Sequence, residues 1–182
     1  RIKKNCEEVS EILNGTHLDG ISANAGVGGE NYYGENDRWD EIIDTNLSGT
    51  YHFVSSFLEQ LKNSRGEQKH ILVTSSVLAR LGVKNYTAYC ASKAGLLGLM
   101  RSWAMELAEH NILVNAISPG WVNTNMAREG MEGIAKSMGI SYDEFKKLAM
   151  QSVPLGRMAE PNEIADLVHY LLTQSAITGQ VV

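Results

Sequence analysis

Three short segments that read as strands, Gly20–Ala23, Ile71–Val73 and Ile112–Ile117, are separated by long stretches whose apolar residues recur at helical spacing. This alternation constrains the fold more than any other feature. Ile71-Leu72-Val73 has no polar position on either face, the pattern of a strand buried on both sides. Strands alternating with helices imply a parallel sheet covered on both faces, so the expected class is α/β with a doubly wound parallel sheet. The 182 residues suffice for one domain with a substantial core, and no internal repeat, low-complexity tract or domain boundary interrupts 1–182.

The helical stretches can be placed. Ile2, Cys6, Val9 and Leu13 predict a helix over 1–14, stopped by Asn14-Gly15. After the turn Asn24-Ala25-Gly26, the polar, glycine-rich stretch Val27–Asp37 reads as a surface loop. Ile43, Leu47, Val54, Leu58 and Leu61 predict one long helix over Trp39–Lys62, and Leu96, Leu99, Trp103 and Leu107 another over Ala88–Glu109. Residues 125–157 are rich in methionine and glycine. Within them, Ser141 and Glu144 form a capping box for a helix reaching about Met150. Pro161 suits the first turn of a helix whose core face is Ile164, Leu167 and Leu171, and Gly179–Val182 begins a last strand.

Charge and composition remove several function classes. The net charge is −5 and Lys and Arg form no dense cluster, which argues against nucleic-acid or anionic-membrane partners. The longest apolar runs fall short of the ~20 residues that span a bilayer. Cys6 and Cys90 have neither metal-ligand spacing nor a disulfide framework, and the five histidines are scattered. A reduced, cytoplasmic setting and no metal site are the expectations.

The informative stretch is Tyr89-Cys90-Ala91-Ser92-Lys93. On a helix, residues four apart share a face, so phenol and ammonium become neighbours. A free tyrosine, with a pKa of about 10, is a poor base at neutral pH. A fixed cation nearby favours the phenolate and lowers that value, fitting Tyr89 to exchange a proton with a substrate oxygen. Alone, the pattern is common among surface neighbours. Ser76, however, stands thirteen residues before Tyr89, at the C-terminal end of a predicted buried strand. Ligands on open parallel sheets bind at those ends.

The order strand, serine, loop and Tyr-x-x-x-Lys helix resembles the short-chain dehydrogenase/reductase superfamily. Other landmarks follow in register. Asn24-Ala25-Gly26 resembles the family's turn after its fourth strand. Asn46 matches its helix asparagine, and Ser118-Pro119-Gly120 its turn beneath the nicotinamide. Pro154-Leu155-Gly156-Arg157, Pro161 and Ile177-Thr178-Gly179-Gln180 resemble its C-terminal landmarks. The resemblance implies a Rossmann-type fold and an NAD- or NADP-dependent oxidoreductase interconverting a secondary alcohol and a ketone. It implies Tyr89 as general acid/base, Ser76 as the group steadying the substrate oxygen, and Lys93 as a ribose-holding cation. Asn46 would anchor a water through its carbonyl. Asn24, Ala25, Gly26, Pro119, Gly120, Val122 and Thr124 would line the cofactor. Leu78, Tyr86, Trp121 and Met126 would join Ser76 and Tyr89 around a small-molecule substrate, with 125–157 as a lid. A homotetramer or homodimer is implied as well, with Gly95 and Gly98 permitting close helix approach between subunits.

Plainer readings stand beside these. Asn24 suits any turn, Asn46 suits a satisfied buried amide or a helix bend, and Ser75 and Ser76 suit hydrogen-bonded strand ends. Cys90 and the methionines read as packing residues. Gly26-Val27-Gly28-Gly29 is not a phosphate-binding fingerprint, because Asn31 holds the place of its third glycine. The family's N-terminal glycine-rich turn, and the first βαβ portion around it, have no counterpart in the sequence. The expectation is therefore a longer real chain, with a few further residues also near Gln174-Ser175 and past Val182. The choice between NAD and NADP, set in the family at the end of the second strand, stays open. Two alternatives also stay open: a 3-oxoacyl-carrier-protein reductase-like activity, and a non-catalytic binding protein of the same fold.

Overall fold

A computed structural model describes residues 2–13 and 16–182. Strands β1 (Gly20–Ala23), β2 (Lys69–Thr74) and β3 (Ile112–Ile117) form a parallel sheet in the order β1-β2-β3. Ala23 pairs with Val73 and Thr74 with Ile117, so the C-terminal ends of the strands lie side by side. Gly179–Val182 continues the sheet beyond β3: Gly179 N–H donates to Val114 O at 2.7 Å and Val182 N–H to Ala116 O at 3.0 Å. The three strands expected from the sequence are all present.

Alternation along the strands sends side chains to two cores. Ile71, Val73, Val114 and Ala116 face helices α1 (Ile2–Ile12), α3 (Gly49–Lys62) and α4 (Thr87–Glu106), while Leu72 and Ile117 face α7 (Pro161–Leu172). Pro161 opens α7, and Ile164, Leu167 and Leu171 pack on the sheet, as their spacing predicted. Ser141 and Glu144 form the anticipated capping box of α6 (Tyr142–Gln151). Among the described residues, no helix is long and apolar enough to cross a membrane.

Four expectations need correction. First, the stretch 39–62 is not a uniform helix. A π-helical segment, Asp44–Ser48, separates α2 (Trp39–Ile43) from α3, and Gly49 N–H donates to Asp44 O, five residues back. The fully buried residue of α2 is Ile42, not Ile43. Second, α4 ends at Glu106; a 3₁₀ turn over 108–110 and left-handed Asn111 (φ 55°) turn the chain into β3. Third, Asn125–Met138 forms a helix, α5, that no periodicity announced. Gly130 and Gly133 lower its intrinsic propensity. The hydroxyl of Thr124 caps its start, buried Met131 and Ala135 anchor it, and Gly139, at φ +69°, ends it as a left-handed cap. Fourth, Gly95 serves close packing inside the chain: a Cβ there would meet Leu47 Cδ2 at 2.9 Å. The predicted stop Asn14-Gly15 lies outside the described residues.

Candidate active site

The chain's chemistry-bearing residues converge where the strands end. After β2, Ser75 N–H donates to Ile117 O at 2.8 Å and Val77 N–H to Pro119 O at 3.1 Å, binding the second strand's exit to the third's. Ser75 Oγ donates to Lys93 O at 2.8 Å, which fixes α4 across that rim. Ser76 is extended, and its Oγ accepts the Leu78 N–H at 3.2 Å. That arrangement leaves the Ser76 hydroxyl proton uncommitted to the backbone and available to the Tyr89 phenol or a substrate oxygen.

Tyr89 and Lys93 rise from the first turns of α4. Lys93 is 4% exposed, donates to Thr74 O at 2.9 Å, and holds its ammonium 5.6 Å from the centre of the Tyr89 ring. Burial pushes the Lys93 ammonium down to about 8 and also raises the Tyr89 phenol, with the Ser76 hydroxyl pulling the phenol the other way. The lowering anticipated from Lys93 does not set the direction: burial, the largest cause, holds the Tyr89 phenol above its ordinary value. Desolvation acts on each group separately and disfavours its charged form.

The Lys93 shift has a measurable consequence. Unfolded, the lysine titrates near 10.5; folded, near 8. Between those values the unfolded chain binds more protons, so this group's contribution to stability rises with pH, while below pH 8 its full cost is present. From pH 8 to 10 the gain is about 2 kcal/mol. Above pH 10 the tyrosines act in the opposite sense, Tyr86 being pushed up to about 12. Urea unfolding should show a gain of this size between pH 8 and 10 that Lys93→Met lacks; equal slopes would contradict the burial of a chargeable amine.

Asn46 is fully buried within the π-helical segment. Its Oδ1 accepts from Val27 N at 2.8 Å, and its Nδ2 donates to Val27 O at 2.9 Å and Ser92 Oγ at 3.1 Å. The amide so clamps the loop after β1 to the Tyr89 helix, since Ser92 Oγ donates in turn to Tyr89 O at 2.8 Å. The Asn46 carbonyl accepts from Thr50 Oγ1 at 2.8 Å. π-Turns inside helices frequently mark functional sites.

The remaining candidates divide. Tyr86 packs edge-on against Tyr89, with ring centres 6.3 Å apart. A Cβ added at Gly130 would lie 3.7 Å from the Tyr86 hydroxyl and 3.9 Å from Trp121 Cζ3; one at Gly28 would lie 3.5 Å from Met126 Sδ and 3.8 Å from Tyr89 Cε2. Tyr86, Tyr89, Trp121 and Met126 thus gather between the glycine-rich loop and α5. Leu78 is half-buried on the adjoining 3₁₀ turn. Asn24 and Ala25 stand exposed at the end of β1, and Gly120 is exposed past β3. Val122 bridges to Ala159, and Thr124 caps α5, so both have structural work independent of any ligand.

The site suits a nicotinamide nucleotide on two observations. A Cβ at Gly26 would meet Asn46 Oδ1 at 3.1 Å and Lys93 Nζ at 3.5 Å, so the bare glycine forms a cradle beside the ammonium. Among the described residues, Ser118 Oγ is one of two buried side-chain polar atoms with no hydrogen-bond partner. The hydrogen-bonding partners Val27, Thr74 and Ser92 escaped sequence reasoning. Ser92 lay inside the Tyr-x-x-x-Lys stretch, while Val27 and Thr74 engage through backbone atoms, which leave no mark in side-chain identity.

Comparisons with known proteins identify the family. Residues 1–182 match the family described as Enoyl-(Acyl carrier protein) reductase. The chain is 34% identical over 178 residues to the 3-oxoacyl-(acyl-carrier-protein) reductase FabG of Buchnera aphidicola, covering 95% of this chain and 68% of that relative. It is 31% identical over 185 residues to the FabG of Aquifex aeolicus, again covering 68% of that relative. Among solved structures, NAD+-bound xylitol dehydrogenase superposes with a TM-score of 0.89 at 27% identity, covering 100% of this chain and 74% of that one. An actinorhodin polyketide ketoreductase with NADPH superposes with a TM-score of 0.88 at 30% identity, covering 100% and 70%. Sheet, site and sequence likeness together place the chain in the short-chain dehydrogenase/reductase superfamily of NAD(P)-dependent oxidoreductases.

Proposed function

We propose that this chain interconverts a secondary alcohol and a ketone through a proton-transfer site made of Ser76, Tyr89, Lys93 and Asn46. The observation that carries the reading is the convergence of Ser76 from β2 and Tyr89 and Lys93 from α4 on one rim of the sheet. A bound nicotinamide supplies or accepts the hydride. In the oxidation direction Tyr89 Oη takes the substrate hydroxyl proton; in reduction it returns one to the ketone oxygen. The Ser76 hydroxyl donates to that oxygen and steadies the charge on it. Lys93, with one N–H committed to Thr74 O, offers its remaining donors beside Gly26 for a ribose hydroxyl and favours the phenolate during transfer. The Asn46 carbonyl has a second lone pair for a water through which protons leave.

Asn24, Ala25, Gly26, Pro119, Gly120, Val122 and Thr124 would border the cofactor, and Leu78, Tyr86, Trp121 and Met126 the substrate. This largely aromatic and apolar lining favours an apolar ketone. The names of the FabG relatives favour a second substrate reading, a carrier-linked 3-oxoacyl group. We assign residues 1–182 to one domain, with 125–157 as its lid, acting in the cytoplasm. A homotetramer or homodimer assembled through α3 and α4 is favoured by exposed Tyr51 and Met105 on those helices.

The test is a loss-of-absorbance screen at 340 nm of the full chain with NADH or NADPH against simple ketones, cyclic diketones and 3-oxoacyl thioesters. Turnover with at least one class is expected. Dinucleotide binding without turnover on any of them would favour a non-catalytic binding protein.

A further inference from the structure

We infer that Asn31 is a positioning residue for Tyr89, capping the catalytic helix from a distant loop; the inference rests on the role given to Tyr89 above. Helix α4 begins at Thr87, and its N-cap, Tyr86, makes no side-chain capping bond. The first N–H groups of a helix have no partner within it and must find one elsewhere. Here Ala88 N–H donates to Asn31 Oδ1 at 3.0 Å, and Thr87 Oγ1 donates to the same oxygen at 3.1 Å. Asn31 N–H also donates to Asn85 O at 2.7 Å, holding the residue that enters the helix in a left-handed conformation (φ 64°). Three bonds from one side chain and its own backbone therefore grip residues 85–88, immediately before Tyr89.

Asn31 is 4% exposed, although it sits in a loop with polar and glycine neighbours. Its Nδ2 donates to Asp37 Oδ1 at 3.4 Å, and that oxygen also accepts the Trp39 N–H at the start of α2. The loop's other end is clamped at Val27 by Asn46. Loop 27–37 thus spans from the π-turn to the start of α4, with Gly28 against the Tyr89 ring between them.

The effect should fall on one group. Tyr89 lies in the first turn of α4, where loss of the cap loosens the backbone. Lys93 lies a turn deeper and is held independently, by Thr74 O on its ammonium and Ser75 Oγ on its carbonyl. Losing Asn31 displaces the phenol relative to Ser76 while leaving the ribose-holding amine in place. A misplacement of about 1 Å at a reacting group costs on the order of 100-fold in rate.

The experiment compares the full chain with Asn31→Ala, the paired swap Asn31→Asp with Asp37→Asn, and Tyr89→Phe, using a ketone turned over by the parent. Asn31→Ala should lower kcat by about 10- to 100-fold, with KM within about threefold and dinucleotide affinity unchanged. The swap keeps an acceptor at position 31 and a donor at 37, and should recover kcat to within about threefold of the parent. If Asn31→Ala fails to fold, Asn31→Ser, too short to reach Ala88, takes its place with the same expectation. A kcat within twofold of the parent in Asn31→Ala or its substitute, a rise confined to KM, or an equal loss in the swap overturns the positioning role. Inactive Tyr89→Phe beside a normal Asn31→Ala overturns this inference alone. Active Tyr89→Phe overturns the underlying site assignment and this inference with it.

Discussion

Replacing Tyr89 by phenylalanine should lower kcat by about a thousandfold while leaving the chain folded. The magnitude lies within the ~10²–10⁴-fold range of a positioned general acid/base. Phenylalanine keeps the ring, hence the edge-on contact with Tyr86 and the packing against Gly28. It removes only the oxygen that exchanges a proton with substrate. Stability should not suffer, because the ring contacts that seat residue 89 are all retained. Steady-state kinetics with the preferred dinucleotide, together with urea unfolding, separate the two effects. Turnover within tenfold of the parent would remove Tyr89 from the chemistry.

Asn46→Ala should act through the fold instead, lowering stability by about 3 kcal/mol. A buried polar group left without its partner costs ~1–3 kcal/mol. This substitution leaves the Val27 N–H and carbonyl without the amide that pairs them, and takes a donor from Ser92 Oγ. A chain in excess of ~100 residues is commonly stable by only 5–15 kcal/mol, so the loss is a large fraction. The urea midpoint should fall with the m-value unchanged. A shift equivalent to less than 1 kcal/mol would mean that the loop relaxes onto solvent at little cost and that the clamp is dispensable.

The parts of this protein that sequence reading recovered share a local cause. β2 was visible because burial on both faces demands consecutive apolar residues such as Ile71-Leu72-Val73, and α6 and α7 because capping boxes and Pro161 act within one turn. The Tyr89–Lys93 pair was visible because helical spacing alone makes them neighbours. What stayed hidden depends on residues far apart in sequence. Nothing near Asn31 indicates that it caps a helix 57 positions later. Nothing near Asn46 indicates that Val27 fills its amide. The direction of the Tyr89 shift was misjudged because two residues show their mutual attraction but not the depth at which both are buried. Helix α5 was missed because its glycines obscure a periodicity that tertiary contact restores.

The π-turn at Asp44–Ser48 also sets a rule about chain length. Buried Ile42, Asn46, Thr50 and Val54 recur every four residues, whereas ordinary helical winding repeats every 3.6. Over that span an unbroken α-helix would carry the row roughly a third of the way around its axis, and the wider turn takes up most of the drift. Regular winding with the residue count unchanged would swing Ile42 roughly 80° away from the face of Thr50, whereas regular winding with one residue fewer between 44 and 48 would keep the two within about 20°. The wide turn therefore accommodates one extra residue, and a variant one residue shorter in that stretch should still present Ile42, Thr50 and Val54 to the interior.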